Sequence, residues 1–432
     1  MAAFAALLVI VFARAPMRQI PDALFVSDGF GYYIYLPSLV IDHDLDLSNQ
    51  LGRVPFEASK SYFDRIEATG LRANPFPIGP AVLWLPFFLA AHAAVTVLRM
   101  FGAPIAATGF GYAYELPTYC GAFLYGVAGL WLLHRTISEI FSRRIGELTF
   151  LAMLLGTPYA YYLWIEPDVS HVAAAFSVAL FLYRVWRIMR DRPAGLTPWV
   201  LLGVSLGIVA LVRPYNGLIA AATLPAVWYV SRARDAALPF MIVRLAVCAA
   251  VALAVFVPQV AVATVLYGKV TFLPPGTMYD RMAWTHPNVL ALAISTFSYF
   301  PLLLAAFVGL FIVQRPRRGE SSAADSATGV FVRWVRPAAL FALLIVLYIT
   351  ASYPRGSSFG DSFGQRRIVD WVPLLAVGFG CCLAALSFGR ERRWTTIATA
   401  VVALCAVGAV LTGLYTLKLL PEWGMAGLLL GS

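Results

Sequence analysis

Long apolar runs dominate the pattern of hydrophobic and polar positions along this chain. Beyond Leu116, runs of about 16 to 25 apolar residues alternate with short clusters of basic residues. A helix of that length matches the hydrocarbon thickness of a bilayer, and basic residues collect in the cytoplasmic loops between such helices. The pattern therefore predicts an all-α, polytopic membrane protein in which residues 1–432 form a single transmembrane domain.

The distribution of basic linkers predicts which side of the membrane each loop faces. The clearest runs begin near Leu116, Gly146, Val169, Thr197, Tyr215, Met241, Val289, Pro337, Ile368 and Trp394. Five linkers between them hold 17 arginines, and we place these linkers, including 314–336, in the cytoplasm. Together with a short first helix at Met1–Ala13, this predicts about 11 spans, with the N-terminus inside and the C-terminus outside.

One apolar run, Gly79–Leu98, breaks the alternation. It is apolar enough to span, but a crossing there would place all five basic linkers outside. Four prolines interrupt the run or precede it closely: Pro75, Pro77, Pro80 and Pro86. We therefore expect a juxtamembrane or re-entrant helix within a long first extracytoplasmic loop, residues 15–115. The alternative is that this run spans the membrane and another run does not.

The composition agrees with a membrane protein and excludes a soluble domain. The chain is 60% hydrophobic and 12% charged, with a mean hydropathy of +0.77, whereas about a quarter of the residues in a typical soluble domain are charged. The net charge of +10 comes mainly from arginines in the short linkers, so it gives no reason to expect nucleic-acid binding. The five cysteines lie inside apolar runs and show no metal-binding or disulfide spacing.

The first candidate for chemistry is Asp28, in the acidic segment that follows the first apolar run. Gly29 and Gly31 give this segment a bendable backbone, and three tyrosines follow. A carboxylate at the outer end of a span suits a general base that takes a proton from an acceptor hydroxyl. The alternative is a helix N-cap or a solvated loop acid. We take Asp28 as the candidate catalytic residue.

Three further acids, Asp42, Asp44 and Asp46, alternate along the same segment. Hard oxygen ligands of this kind suit a divalent cation. The alternative is an acidic turn that ends in a cap at Asn49. Because the segment lacks the glycine-bearing pattern of a cation-binding loop, we favour the second interpretation and treat these acids as scaffold.

The next outside linker, EPDVSH, places Glu166, Asp168 and His171 within six residues. Two carboxylates and an imidazole could orient a donor phosphate through a metal, or position an acceptor. The alternative is a capping role, because Asp168 is followed by a typical helix start. Both interpretations stay open at this point, and so does the identity of any metal.

Basic residues on the predicted outer face are the third group of candidates. Arg213, Arg366 and Arg367 lie outside, where the topological bias disfavours arginine. Their guanidinium groups suit bidentate contacts with phosphate, although residues that only anchor the helix ends are the alternative. Lys269 is a weaker candidate of the same kind.

Four short motifs give the chain a family resemblance. They are SDGFGYYIYL, NPFPIGPAVLW, EPDVSH and SFGQRR. Their order and the long first outside loop resemble the GT-C superfamily, integral-membrane glycosyltransferases that use polyprenyl-phosphate-linked sugars. The chain is similar to bacterial members near the protein O-mannosyltransferases, the lipid A aminoarabinose transferase and the RgtA/B/C/D-like group. The resemblance implies a multi-pass protein of the bacterial inner membrane, with its active site facing the periplasm or the cell exterior.

The resemblance also implies roles for individual residues. Asp28 matches the catalytic acid of the first loop, and Glu166 and Asp168 match the acidic pair of the second. The outside basic residues would receive the lipid phosphate. The acceptor would be a hydroxyl of a lipid, polysaccharide or protein, attacking with inversion. One departure is Gly29, since many relatives have a second acid at this position.

Two other functions remain as alternatives to transfer. A transporter or flippase of lipid-linked sugars would need polar residues inside its spans. A non-catalytic subunit of a membrane assembly would leave the outside acids freely replaceable. The polar residues of this chain gather instead near one face of the membrane, which favours a reaction at that face.

Overall fold

The structure is a computed structural model, and it is helical. It describes residues 23–26, 28–53, 63–232, 238–272, 300–312, 326–351, 363, 366–387 and 393–416. Within these ranges the extended structure consists of one isolated antiparallel bridge, between Arg65 and Arg72. The predicted first helix, Met1–Ala13, and residues 314–325 of the predicted cytoplasmic linker lie outside the described residues.

The acidic segment folds into short helices and a turn. These are α1 (Asp28–Tyr33), α2 (Tyr35–Pro37), a π-helical turn (Ser38–Asp42) and α3 (Ser48–Leu51). The π-helical turn ends at His43, whose φ of 57° is left-handed. This is one of the few conformations in which a residue other than glycine reverses the chain so abruptly.

The remaining α-helices of the described residues follow in chain order. They are α4 (Gly79–Met100), α5 (Tyr112–Ile140), α6 (Arg143–Leu155), α7 (Tyr159–Trp164), α8 (Ser170–Asp191), α9 (Thr197–Val212), α10 (Thr223–Arg232), α11 (Leu238–Tyr267), α12 (Pro301–Phe311), α13 (Ala327–Ala351), α14 (Val372–Ser387) and α15 (Trp394–Thr416). Two 3₁₀ helices, Pro214–Ala222 and Arg366–Trp371, precede α10 and α14. The second is called the junction helix below.

Seven helical segments of the described residues are long and apolar enough to cross a membrane. They begin at Gly79, Tyr112, Ser170, Leu238, Ala327, Arg366 and Trp394. Two shorter apolar helices, α9 and α12, lie among them. These findings confirm an all-α protein with several membrane helices, while the number of 11 spans stays a prediction.

Glycines allow several helices to approach closely. A Cβ atom on Gly309 would collide with the carbonyl of Gly378, so α12 and α14 are in direct backbone contact. Gly203 and Gly207 place α9 equally close to α11. Small residues of this kind are typical of helix interfaces in membranes, where close packing replaces the hydrophobic effect as the driving force.

Helix α4 runs antiparallel to the first half of α5. Phe87 lies near Tyr125, and His92 Nδ1 lies 2.9 Å from the Tyr114 hydroxyl. The start of α4 is fixed beside the C-terminal end of α9, because Gly79 packs against the backbone of Leu211. Helix α4 is continuous and long enough to cross a bilayer. That Gly79–Leu98 does not cross therefore stays a prediction.

A network of charges joins α5 to the C-terminal end of α8, at the end predicted to face the cytoplasm. Glu139 accepts hydrogen bonds from Arg135 at 3.1 Å, from Trp186 at 3.0 Å and from Arg190 at 2.5 Å. This network holds the two helices together far along the chain from the acidic segment.

Candidate functional site

Asp28 and Arg366 form an ion pair between two distant parts of the sequence. Asp28 Oδ2 lies 3.0 Å from Arg366 Nη1, and the two side chains are 30% and 23% exposed. Asp28 is the first residue of α1, and Arg366 is the first residue of the junction helix. The structure thus brings together two of the predicted site residues at a position that a ligand can reach.

A buried glutamate holds the chain just before Asp28. Glu115, which is 3% exposed, accepts hydrogen bonds from the backbone N–H groups of Leu24 at 2.5 Å and Phe25 at 3.3 Å. Its other oxygen accepts from the N–H of Gly111 at 3.1 Å. In the sequence, Glu115 served only to mark the end of the predicted first loop. An acid at the start of an apolar run is nevertheless a candidate functional residue in a membrane protein.

Asp168 lies directly against the backbone of α1. Its Oδ2 accepts a hydrogen bond from the N–H of Val26 at 3.5 Å, and a Cβ atom on Gly29 would collide with the same oxygen. The carboxylate of Asp168 is therefore buried beside Asp28. Gly29 is the residue that makes room for it.

The first turn of α8 provides a second attachment for α1. The Tyr32 hydroxyl lies 2.8 Å from Ser170 Oγ, and Arg213 Nη2 donates to the same Ser170 oxygen at 2.6 Å. Burial raises the pKa of Tyr32 above its usual value, so its hydroxyl stays protonated at physiological pH. Tyr32 lies four residues after Asp28 and fixes the rotation of α1 about its axis.

A fully buried aspartate of the junction helix, Asp370, contacts four other polar side chains. His171 Nδ1 lies 2.7 Å from Asp370 Oδ1, and Arg213 Nε lies 3.3 Å from Oδ2. Tyr215 and Asn216 donate to the same Oδ2 at 3.3 Å and 3.2 Å. We call these five residues the Asp370 cluster. Asp370 was not among the predicted site residues, because its sequence position suggested only the end of a span.

The three predicted phosphate-binding arginines occupy different environments. Arg213 belongs to the Asp370 cluster, where it also contacts the hydroxyl of Tyr215 and lies 3.1 Å from His171 Nε2. Arg367 is buried, with 6% exposure. Arg366 is the most exposed of the three, so it is the arginine best placed to meet a ligand from outside.

Two other predicted residues, Glu166 and Lys269, differ in their surroundings. Glu166 is half-buried and accepts a hydrogen bond from the Tyr161 hydroxyl at 2.8 Å. Lys269 follows the end of α11 and is exposed, and no hydrogen bond or ion pair among the described residues joins it to Asp28. The structure therefore brings Asp28 together with Arg366, Asp168 together with the helix that carries Asp28, and His171 together with Arg213.

The carboxylates of the three alternating acids accept hydrogen bonds from residues of their own segment. Asp42 Oδ2 accepts from the side-chain amides of Asn49 at 2.9 Å and Gln50 at 2.5 Å. The Asp44 and Asp46 carboxylates each accept from a backbone N–H two residues later, at 3.2 Å and 3.1 Å. These contacts fit the scaffold interpretation. Across the described residues, no group of three or more His, Cys, Asp or Glu side chains could hold a metal ion.

The junction helix separates the polar cluster from an apolar recess. Ile368 and Trp371 lie three residues apart on this helix, and both line this recess. The remaining lining residues come from α12, α13 and α14: Leu303, Phe307, Ala339, Ala342, Leu343, Leu374 and Leu375. One short helix thus carries a guanidinium beside Asp28 and two apolar side chains on the recess, an arrangement that suits an amphiphilic ligand.

Solved membrane glycosyltransferases share this fold. ArnT from Cupriavidus metallidurans bound to undecaprenyl phosphate is 17% identical, with a TM-score of 0.51 over 93% of this chain and 63% of that chain. The oligosaccharyltransferase of Archaeoglobus fulgidus in its apo form is 12% identical, with a TM-score of 0.51 over 95% of this chain and 55% of that chain. This chain therefore spans less than two thirds of either protein's length.

The likeness confirms the predicted GT-C fold. No family model matches the sequence, and no curated protein matches it. At these identities the structural likeness shows the fold alone, so the function must be argued from the site.

Proposed function

We propose that this chain is a glycosyltransferase that moves a sugar from a polyprenyl-phosphate donor to an acceptor hydroxyl. The reaction takes place at the extracytoplasmic face of a bacterial inner membrane. The Asp28–Arg366 pair carries the proposal, because it sets a proton acceptor and a phosphate-binding group side by side within a GT-C fold. The complex of ArnT with undecaprenyl phosphate supports a lipid phosphate as the carrier.

Asp28 acts as the general base in this mechanism. Its side chain is partly exposed at the start of α1, where an acceptor hydroxyl can approach. As the acceptor oxygen forms its bond to the anomeric carbon, its proton passes to the carboxylate of Asp28. The bond from the anomeric carbon to the phosphate oxygen breaks, and the electron pair leaves with the lipid phosphate.

Arg366 receives the phosphate. A guanidinium forms charge-assisted, bidentate hydrogen bonds with phosphate oxygens, and these strengthen as negative charge develops on the leaving group. Arg213 is less exposed than Arg366 and pairs with Asp370, so its contacts lie within the protein. The donor phosphate competes with Asp28 for Arg366, so donor binding frees the carboxylate for its role as base.

The lipid chain of the donor lies in the apolar recess beside the junction helix. Its lining is almost wholly apolar side chains, and each CH₂ group buried there contributes about 0.8 kcal/mol. A phosphate at Arg366 and a prenyl chain along Ile368 and Trp371 would use two different faces of the same helix.

The test is transfer by the purified full-length protein in nanodiscs. Undecaprenyl phosphates carrying hexoses or pentoses are supplied with lipid, polysaccharide and peptide acceptors, and released undecaprenyl phosphate is measured. We expect release from at least one donor, and a loss of about 100-fold or more in Asp28→Asn, the range for removal of a general base. The matched control is Asp46→Asn, a turn acid of the same segment, which should retain the wild-type rate. Wild-type transfer by Asp28→Asn would overturn the assignment.

The same preparation distinguishes the transport alternative. In sealed vesicles, a flippase would move the lipid-linked sugar between leaflets without releasing undecaprenyl phosphate. Redistribution of an intact donor, with no released carrier, would replace the transferase proposal.

A further inference from the structure

The start of α8 is a shared base for the two halves of the site. Ser170 and Asp168 contact α1 through Tyr32 and Gly29, and so fix the helix that carries Asp28. The next residue, His171, contacts Asp370 on the junction helix, which carries Arg366. Three neighbouring positions of one motif thus determine how Asp28 and Arg366 face each other.

The junction helix begins the helical segment that continues into α14, and the fully buried Asp370 attaches it to the rest of the site. The helix has six residues, Arg366–Trp371, and Val372, the first residue of α14, follows it directly. Asp370 is fully buried and contacts one side chain of α8 and three from residues 213–216. Arg366 lies one helical turn away, near the protein surface.

We propose that Asp370 is a positioning residue that holds Arg366 opposite Asp28 in the geometry that binds the donor phosphate. This inference rests on the proposed function, since it assigns a role within that site. Asp370 makes no contact with the ligand and acts through the orientation of the junction helix. Its charge also balances that of Arg213, whose Nε lies 3.3 Å from the Asp370 carboxylate.

Whether Asp370→Asn weakens or strengthens phosphate binding distinguishes a positioning role of Asp370 from a direct electrostatic effect of its charge. Removing a negative charge near a phosphate site strengthens anion binding through space, because a repulsive term is lost. If Asp370 instead holds Arg366 in place, the same substitution weakens binding. Asp370→Asn therefore gives opposite results under the two explanations.

The experiment measures the dissociation constant of undecaprenyl phosphate for the full-length protein in nanodiscs. The proteins compared are the wild type, Asp370→Asn, Arg366→Gln and the double variant. We expect each single variant to bind about tenfold more weakly, equivalent to about 1.4 kcal/mol. The double variant should be no weaker than Arg366→Gln alone, because substitutions that act through the same contact are not additive. Unchanged or tighter binding by Asp370→Asn, or additive losses, would overturn the proposal.

Two controls keep the test decisive. Glu139→Gln makes the same carboxylate-to-amide change in a polar network at the other end of α8, and should leave the affinity unchanged. If Asp370→Asn does not fold, Tyr215→Phe removes only one hydroxyl of the cluster. We expect it to weaken binding about threefold, as the loss of one net hydrogen bond does, and wild-type affinity in Tyr215→Phe would then overturn the proposal.

The readout is independent of the amount of folded protein. Partial unfolding lowers the number of binding sites and leaves the dissociation constant of the remaining sites unchanged. If the wild-type protein shows no saturable binding of undecaprenyl phosphate, the proposed function fails as well. If the wild type binds and only the Asp370→Asn result differs from expectation, the positioning role alone fails.

Discussion

The backbone of Gly29 lies against the carboxylate of Asp168, so closely that a single added carbon atom would collide with it. This contact fixes the distance between α1 and the first turn of α8. It also explains why an acid directly after Asp28 is incompatible with this site as it stands. A second carboxylate at position 29 would have to occupy the volume that Asp168 already fills.

Gly29→Ala should destabilise the protein. The new methyl group forces either α1 or Asp168 to move, and overpacking of this kind typically costs about 1–3 kcal/mol. Thermal unfolding in detergent measures the effect, and released undecaprenyl phosphate measures the accompanying loss of transfer. Gly195→Ala is the control, because a Cβ atom there would have no neighbour within 4 Å. Equal melting temperatures for the two variants would contradict the packing seen at Gly29.

Glu115→Gln should loosen the chain that precedes Asp28. The glutamate accepts three backbone hydrogen bonds, and an amide can offer only one of its two atoms as an acceptor. At least one buried N–H group then loses its partner, which costs about 1–3 kcal/mol. Hydrogen exchange at Leu24, Phe25 and Gly111 measures the loss directly.

The control for Glu115→Gln is Glu147→Gln, which alters an exposed acid paired with Arg143. Exposed pairs of this kind contribute only about 0–1 kcal/mol. Exchange at Leu24 and Phe25 should therefore remain at the wild-type rate in the control. Faster exchange in both variants would mean that the effect is general and not a property of Glu115.

The sequence allowed the fold class and part of the site to be predicted, for identifiable reasons. Apolar runs of membrane length are a strong and local signal, so the all-α membrane fold followed from periodicity and charge. Asp28 and Arg366 were chosen as candidates because charged residues on the predicted outer face of such a protein are unusual. Each could be recognised without knowing its partner.

The rest of the site depends on contacts between distant segments. Asp370 looked like the end of a span, because nothing in its own neighbourhood shows that His171 and Arg213 will surround it. Arg213 was expected to bind phosphate, but much of its hydrogen-bonding capacity is used within the protein. Glu115 and Gly29 gained their roles only from what the fold places beside them.

Filling the apolar recess should impair long-chain donors selectively. Ala342→Phe would place an aromatic ring where the proposed lipid chain lies. We expect the dissociation constant for undecaprenyl phosphate to rise about tenfold or more, since two buried CH₂ groups already account for about 1.6 kcal/mol. A carrier with only two prenyl units should be unaffected, because it reaches Arg366 without filling the recess.

The comparison of two chain lengths is the internal control for the recess. Ala93→Phe, at an exposed position of α4, controls for the addition of a ring to a membrane helix. If Ala342→Phe weakens both carriers equally, the ring disturbs the phosphate site and the recess does not hold the chain. If it weakens neither, the chain lies elsewhere.

Arg366 should contribute mainly to binding of the lipid phosphate, and Arg213 mainly to the stability of the protein. Arg366→Gln removes a partly exposed group, so we expect weaker binding of undecaprenyl phosphate with a change in unfolding free energy within about 1 kcal/mol. Arg213→Gln leaves the buried carboxylate of Asp370 without its guanidinium partner, and breaking such a pair costs about 3–5 kcal/mol. Thermal unfolding and lipid binding, measured on the same nanodisc samples, give both quantities. The reverse result, with Arg213→Gln stable but unable to bind and Arg366→Gln unstable, would transfer the phosphate-binding role to Arg213 and contradict the site proposed for Arg366.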